Sequence, residues 1–381
     1  MNKLSMLCCI LLASVAGRAQ AQSQPVVLDS LNVTDYANPS DWDTYIASWD
    51  YVIFENPSNV EAVDDCFFNG NSIVAQAHVN GQQTLLHYKL DGTYIGEVGK
   101  FGLSEKEYAY TSSILLDEAK DRLSVCDMLA KRKCVTYRLS DGSFISTGAI
   151  PNRLMSYTRN VYPLQEANTY LGYTTCGRHR LCYFITDSTF SRVDTLSLHP
   201  AQFPLGSVNF ATHPVTCHQG NYSMLAPLND TIYTLRHNAL YPRLVFRTHN
   251  SVPLGYQPTK DDYLTQTATL EKQGYIRKDG LYETDKWLVI TDKKGLLFYN
   301  KDTRKGSYLP EDMPQRGDLI YPQDLWSEHN GRLIAVYTPE ELLALKHEME
   351  AANVVLSEKI QTLFARLHPG TPLILIFYTL R

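Results

Sequence analysis

SIVAQAHVNGQQTLLHYKLDGTYIGEVG, residues Ser72 to Gly99, holds three short apolar runs separated by two turn signals. The first run ends at Asn80-Gly81. The second carries Tyr88 and ends at Asp91-Gly92, and the third spans Thr93 to Val98. Asn-Gly and Asp-Gly tolerate the positive φ angles that a tight hairpin requires. The stretch therefore reads strand, turn, strand, turn, strand.

The rest of the chain repeats it. Arg122 to Gly148 aligns Tyr137 with Tyr88, Asp141-Gly142 with Asp91-Gly92, and Phe144-Ile145 with Tyr94-Ile95. Thr169 to Leu198 carries Tyr183, Asn221 to Phe246 carries Tyr233, and Lys286 to Leu309 carries Tyr299. Successive tyrosines lie 49, 46, 50 and 66 residues apart. The longest step contains Thr248 to Asp285, which is polar and rich in Pro, Gly and Tyr and reads as an inserted loop. A sixth copy is split between Arg332–Tyr337 and Leu373–Leu380, with Tyr378 in the repeated place. Between its halves, residues 339–367 read as one helix. Thr338, Pro339 and Glu341 form its start signal. Leu342, Leu345, Met349, Ala352, Leu356, Ile360, Leu363 and Leu367 form its apolar stripe.

A strand pair or triplet cannot bury its apolar face alone. Six units of this length predict an all-β fold, a six-bladed β-propeller over residues 22–381, with a helical insertion before the last strand. An open β-solenoid and a two-domain β-sandwich are the competing readings. Residues 26–33 and Tyr51–Glu55 read as short strands, either of which can close the ring against the C-terminal strand. A tyrosine at one place in every unit reads as a packing residue, β-prone and large.

Residues 1–21 match an export signal. Lys3 precedes an apolar run from Leu4 to Gly17, and Ala19-Gln20-Ala21 supplies the small residues that signal peptidase reads. The expected location is the periplasm or the cell surface. Without Lys3 and Arg18 the formal net charge moves from −5 to −7. A mildly acidic chain with no Lys/Arg cluster is a poor match for nucleic acid. No other stretch reaches the length of a transmembrane helix. Six cysteines follow the signal: Cys66, Cys126, Cys134, Cys176, Cys182 and Cys217. Cys126 with Cys134, and Cys176 with Cys182, each flank a hairpin turn. Export permits a disulfide within each pair, and buried free thiols are the other reading.

Gly96 to Tyr110, GEVGKFGLSEKEYAY, resembles the G-x-G-P-G-E-Y linker of six-bladed β-propeller proteins of the Bacteroidetes type, which are distantly similar to NHL-repeat propellers. Gly99, Gly102, Glu107 and Tyr108 match, whereas Leu103 to Lys106 depart from the Pro-Gly centre. Asn229–Leu235, NDTIYTL, is similar to a second segment of that family. The resemblance implies the fold. It also implies two kinds of function at the mouth of the central channel: binding, or zinc- or calcium-dependent lyase or hydrolase chemistry.

The residues favour binding. His78, His87, His179, His213 and His218 do not recur in register, and no pair has H-E-x-x-H spacing. Asp64-Asp65 and Asp261-Asp262 read as solvated or capping carboxylates. There is no nucleophile elbow, phosphate loop or dinucleotide fingerprint. The sequence thus nominates no catalytic residue, no metal ligand and no cofactor. The expected partner is an envelope protein, a peptide or a glycan. The Gly96–Tyr110 linker and the Thr248–Asp285 insertion are its least regular segments and the first places to look for a site.

Overall fold

Each of the first five copies of the tyrosine pattern supplies the second to fourth strands of a four-stranded antiparallel unit, the split sixth copy supplies the second and third, and a strand outside the pattern precedes each. The structure, a computed structural model, describes residues 26–27, 42–56, 59–127, 132–150, 158–164, 166, 168–174, 182–197, 213–226, 229–246, 248, 250–253, 256, 263–310, 312–323, 325–368 and 370–381. The expected signal segment, 1–21, lies outside them.

The chain begins with β1 (Val26–Val27), α1 (Trp42–Tyr45) and β2 (Ile46–Ile53). Unit one is β3 (Val60–Asn69), β4 (Ser72–Val79), β5 (Gln82–Lys89) and β6 (Tyr94–Glu97). Unit two is β7 (Ser113–Asp117), β8 (Arg122–Asp127), β9 (Lys133–Arg138) and β10 (Phe144–Ala149). Unit three is β11 (Thr158–Pro163), β12 (Tyr170–Thr174), β13 (Cys182–Thr186) and β14 (Val193–Ser197). Unit four is β15 (Val215–His218), β16 (Asn221–Ala226), β17 (Asn229–Arg236) and β18 (Ala239–Val245). After α2 (Tyr263–Glu271), unit five is β19 (Lys278–Glu283), β20 (Trp287–Asp292), β21 (Gly295–Asn300) and β22 (Lys305–Pro310). Unit six starts with β23 (Leu325–His329) and β24 (Arg332–Tyr337). It then passes through α3 (Pro339–Ala351) and α4 (Glu358–Arg366) to β25 (Ile374–Leu380).

The two ends of the chain meet in unit six. Its sheet order is β2-β25-β24-β23, so β2 from near the N-terminus supplies the fourth strand. This is the terminal pairing the sequence suggested, with β2 starting earlier than Tyr51. The strand expected at 26–33 is described only at Val26–Val27, which adds in parallel to β18.

The hairpin chemistry follows the sequence. Val79 pairs with Gln82, leaving a two-residue turn in which Asn80 (φ 52°) and Gly81 (φ 71°) both take positive φ. The repeated tyrosines all fall on the third strand of a unit. Tyr88, Tyr137, Tyr183, Tyr233, Tyr299 and Tyr378 are each buried. Burying a side chain of this size contributes roughly 1.5–3 kcal/mol.

Among the described residues, six buried apolar clusters lie between units. Units one and two share one around Val74, Tyr108 and Tyr137. The next joins Leu115 to Phe184, the third Tyr183 to Met224, and the fourth Ile232 to Leu288. The fifth joins Phe298 to Leu333 and takes in α1, α3 and α4. The sixth brings Ile334 and Leu375 of unit six onto Ile73 and Tyr88 of unit one. First strands also approach one another. β7 pairs in parallel with β11, joining units two and three in an eight-stranded sheet, and His213 bridges in parallel to Gly280 of β19.

Two expectations change. The single helix at 339–367 is two helices. The Thr338/Glu341 capping box starts α3 as read. The helix then stops because Asn353 turns left-handed (φ 54°), with Asn353 N–H donating to Glu350 O and Val354 N–H to Met349 O. Ser357 caps α4. The supposed inserted loop, 248–285, contains α2 and β19. Among the described residues, no helix is long and apolar enough to cross a membrane.

Candidate functional site

The first strands frame two adjoining cavities. One, of about 620 Å³, is lined by Val63 and Asp64 of β3, Asp279 of β19, and Leu325 and Trp326 of β23, together with the β20–β21 turn and Thr338. The other, of about 230 Å³, takes residues from β3, β11, β15, β19 and β23, the first strands of five of the six units. Cys66, His213 and Trp326 line both, so they form the waist between them.

His213 is fixed by its backbone, donating to Asp279 O (3.0 Å) and accepting from Leu281 N–H (2.9 Å). Gly280, the partner in this bridge, leaves no room for a Cβ, which would lie 2.6 Å from Thr291 Oγ1 and 2.9 Å from the Tyr282 ring. The His213 ring is buried and tilts against Trp326 at 5.3 Å and Tyr282 at 6.3 Å. Trp326 is half-buried. At the edge of the larger cavity Trp42 stacks on Tyr321 at 4.9 Å.

The carboxylates of this cavity are held by their neighbours. Asp279 Oδ1 accepts from Arg277 Nε and Nη2, both at 2.8 Å. Burial nevertheless pushes the Asp279 carboxyl above its usual range, against the pull of Arg277. Asp292 accepts from Asn250 Nδ2 (2.9 Å), Lys294 N–H (2.9 Å) and the Tyr308 hydroxyl (2.8 Å), and pairs with Lys278 at 3.4 Å. Burial pulls the Lys278 amine down, opposed by the Asp292 carboxylate. Asp64 meets His78 at 2.9 Å, and Glu341 Oε2 accepts from Thr338 N–H at 2.7 Å. In the second cavity burial pushes the Glu328 carboxyl up, while Gly331 N–H donates to it at 2.6 Å. Beside it His218 pairs with Asp285 at 3.0 Å. Among the described residues, no three His, Cys, Asp or Glu side chains group as metal ligands would.

The structure brings some of the residues singled out by sequence together, with Asp64 and His213 on one cavity and Asp64 against His78, and places others apart. Cys126 and Cys134 are register partners on β8 and β9, yet they stand as free thiols with sulfurs 3.6 Å apart, not bonded. Cys176 lies outside the described residues, as does the side chain of Cys182. Asp261-Asp262 and His179 also lie outside. Asp65 caps locally, accepting from Cys66 N–H at 2.9 Å. His87 is a packing histidine between Ser72 Oγ (3.0 Å) and Leu139 O (3.1 Å), with its imidazole pulled down by burial.

The Gly96–Tyr110 linker is a clamp between units. Gly99 (φ 73°) lies flat on Tyr137, where a Cβ would come 2.6 Å from the ring. Glu107 accepts from Ser104 N–H at 3.0 Å, and the Tyr108 hydroxyl accepts from Leu85 N–H at 3.2 Å. Of the nominated segments, only 248–285 reaches the cavity, through Asp279. Sequence reading missed Trp326, Tyr321 and the β3 and β23 walls. Their one available signal was an unassigned apolar or mixed run before each repeat.

The chain belongs to the family described as "Domain of unknown function (DUF4934)", whose model matches residues 29–379. Its fold is similar to the crystal structure of a protein described as exported, from Bacteroides fragilis. The TM-score is 0.68 at 18% identity, covering 93% of this chain and 100% of that one. It is also similar, at a TM-score of 0.40 and 10% identity, to the extracellular domain of a one-component system from B. thetaiotaomicron, covering 75% of this chain and 32% of that one. No curated protein matches the chain.

Proposed function

We propose that this chain is an exported, non-catalytic six-bladed β-propeller that binds a glycan, a peptide or a segment of a partner protein in the cavity framed by its first strands. The carrying observation is that cavity. Its volume, about 620 Å³, falls in the range typical of ligand sites, about 300–1,000 Å³. Its half-buried Trp326 offers an aromatic surface, and its carboxylates are already positioned by protein donors. That arrangement suits hydrogen bonding to a ligand better than proton transfer, for which an acid or base needs a free path to the reacting atom. Ring closure is supported by the unit-six-to-unit-one cluster and by the β2–β25 pairing. Export is supported by the leader-like residues 1–21 and by the exported relative from B. fragilis.

The test is tryptophan emission and thermal melting of the mature chain against malto-, manno- and cello-oligosaccharides and a tetrapeptide pool. A saturable response that Trp326→Ala abolishes is expected. A response untouched by Trp326→Ala would move the ligand away from the cavity. Thermal stabilisation by zinc or calcium together with turnover of any probe would replace this reading with a metal-dependent lyase or hydrolase.

A further inference from the structure

Cys126 and Cys134 face each other across the central strand pair of unit two, 0% and 1% exposed, with sulfurs 3.6 Å apart. We propose that these two thiols are a disulfide site, closed while the chain folds in an oxidising compartment and sealed once unit three packs over it. Directly opposed residues in an antiparallel pair have Cα atoms about 4.5–5.5 Å apart. That lies within the span a disulfide bridges, about 4.4–6.8 Å. Bringing the sulfurs to about 2.0 Å therefore needs side-chain rotation and no movement of the strands.

The reaction balances as a two-electron exchange. Each thiol gives up one proton and one electron as the S–S bond forms. A disulfide oxidant, such as oxidised glutathione, takes the two electrons and two protons, and its own S–S bond breaks into two thiols. Thiol–disulfide exchange proceeds through the thiolate. In the folded chain burial, reinforced by the hydrogen bond to Cys134, pushes the Cys126 thiol well up. Both sulfurs are also closed off from solvent, at 0% and 1% exposure, so an oxidant reaches them only before burial. The seal is visible: the Cys134 thiol points to Ser188 O of unit three at 3.9 Å, and both sulfurs sit in a cluster with Ile150, Phe184 and Phe190.

The full chain, reduced and unfolded, is refolded in a glutathione redox buffer, quenched with acid, alkylated and digested without reductant for mass analysis. A peptide linking Cys126 to Cys134 as the main product is expected. The same chain folded first in reductant and then moved to that buffer should keep both thiols alkylatable only after unfolding. Alkylation of both cysteines after oxidative refolding, or their capture by glutathione or by another cysteine, would overturn the site. Equally fast closure in the prefolded chain would overturn the order of events. Both arms use the unmodified sequence, so neither depends on a variant folding, and neither depends on the ligand reading.

Discussion

The third and first strands of the six units follow opposite rules. Every third strand carries a buried tyrosine in the same place, and the hydroxyls of Tyr137 and Tyr183 each reach a carbonyl across a seam. Tyr137 donates to Lys106 O in the linker, and Tyr183 donates to Leu225 O of unit four, both at 2.7 Å. The first strands share no such residue. β3 carries Asp64, Asp65 and Cys66, β19 carries Lys278, Asp279 and Glu283, and β23 carries Trp326 and Glu328. A seam between two sheets poses the same packing problem in every unit, and interiors tolerate few shapes. A strand beside a cavity meets a different neighbour in each unit and is free to vary. Uniformity marks the seams and irregularity marks the cavity walls.

Removing the shared element should do most damage. Truncation before Pro372 deletes β25, whose register joins β2 on one side to β24 on the other. Loss of soluble monomer on size-exclusion chromatography is expected. A folded truncated chain would break the idea that the ends close one unit. Next in size, Tyr137→Ala should cost about 3–5 kcal/mol by chemical denaturation, the usual loss for a large buried aromatic. Trp326→Ala, at the cavity, should cost about 1 kcal/mol, because its half-exposed ring buries less surface. Equal losses at the two positions would erase the contrast between seam and cavity.

Charge draws a second contrast, within the single first strand β19. Glu283 lies buried with Arg243, making two hydrogen bonds of 2.6 Å, and with Lys301 at 3.1 Å. Burial opposes its ionisation, yet Arg243 and Lys301 hold its carboxyl below the ordinary value of 4.5. A depressed acid stabilises the fold above its unfolded pKa, and that contribution is lost as pH falls through the folded one. Glu283→Gln should therefore cost about 2 kcal/mol at neutral pH. That is less than the ~3–5 of a fully buried pair because Arg243 keeps some solvent contact. The difference from wild type should vanish in acid well below pH 4.5. Asp279 at the cavity has the opposite sign. Its raised carboxyl binds a proton more tightly folded than unfolded, so its effect on stability worsens as pH rises from 3.8 through the folded pKa. Asp279→Asn should flatten that part of the urea-denaturation profile. Parallel profiles for the two variants would contradict the assignment.

Much of the scaffold was legible for the reason that it repeats. Tyr88, Asn80-Gly81 and Asp91-Gly92 announce hairpins by local chemistry, and the tyrosine recurs 46 to 50 residues apart over the first four units. The first strands were not legible. KDGLYE, residues 278–283, has neither strict alternation nor an apolar run. It is a strand because β20 and the His213 bridge satisfy its backbone. The waist residues come from three distant segments, and no spacing in one chain encodes their meeting. The helix break was readable in principle, since Asn353 and Ser357 are stop and start residues, but the continuous apolar stripe concealed them.

An effect as small as that of Trp326→Ala concerns that insertion. Thr338 Oγ1 accepts from Glu341 N–H at 3.3 Å, and Glu341 returns the bond to Thr338 N–H at 2.7 Å. Both residues also line the larger cavity, so they belong to scaffold and site at once. Thr338→Ala removes one side of the capping box and should cost about 1 kcal/mol, read as a modest fall in denaturation midpoint with unchanged slope. Thr338→Ser keeps the acceptor and should restore most of it. If the alanine variant unfolds in two steps, α3 and α4 form a unit separable from the sheets. A single transition means that the buried Leu342, Met349, Ile360 and Leu363 tie both helices to the seam between units five and six, and the insertion then behaves as part of the uniform scaffold.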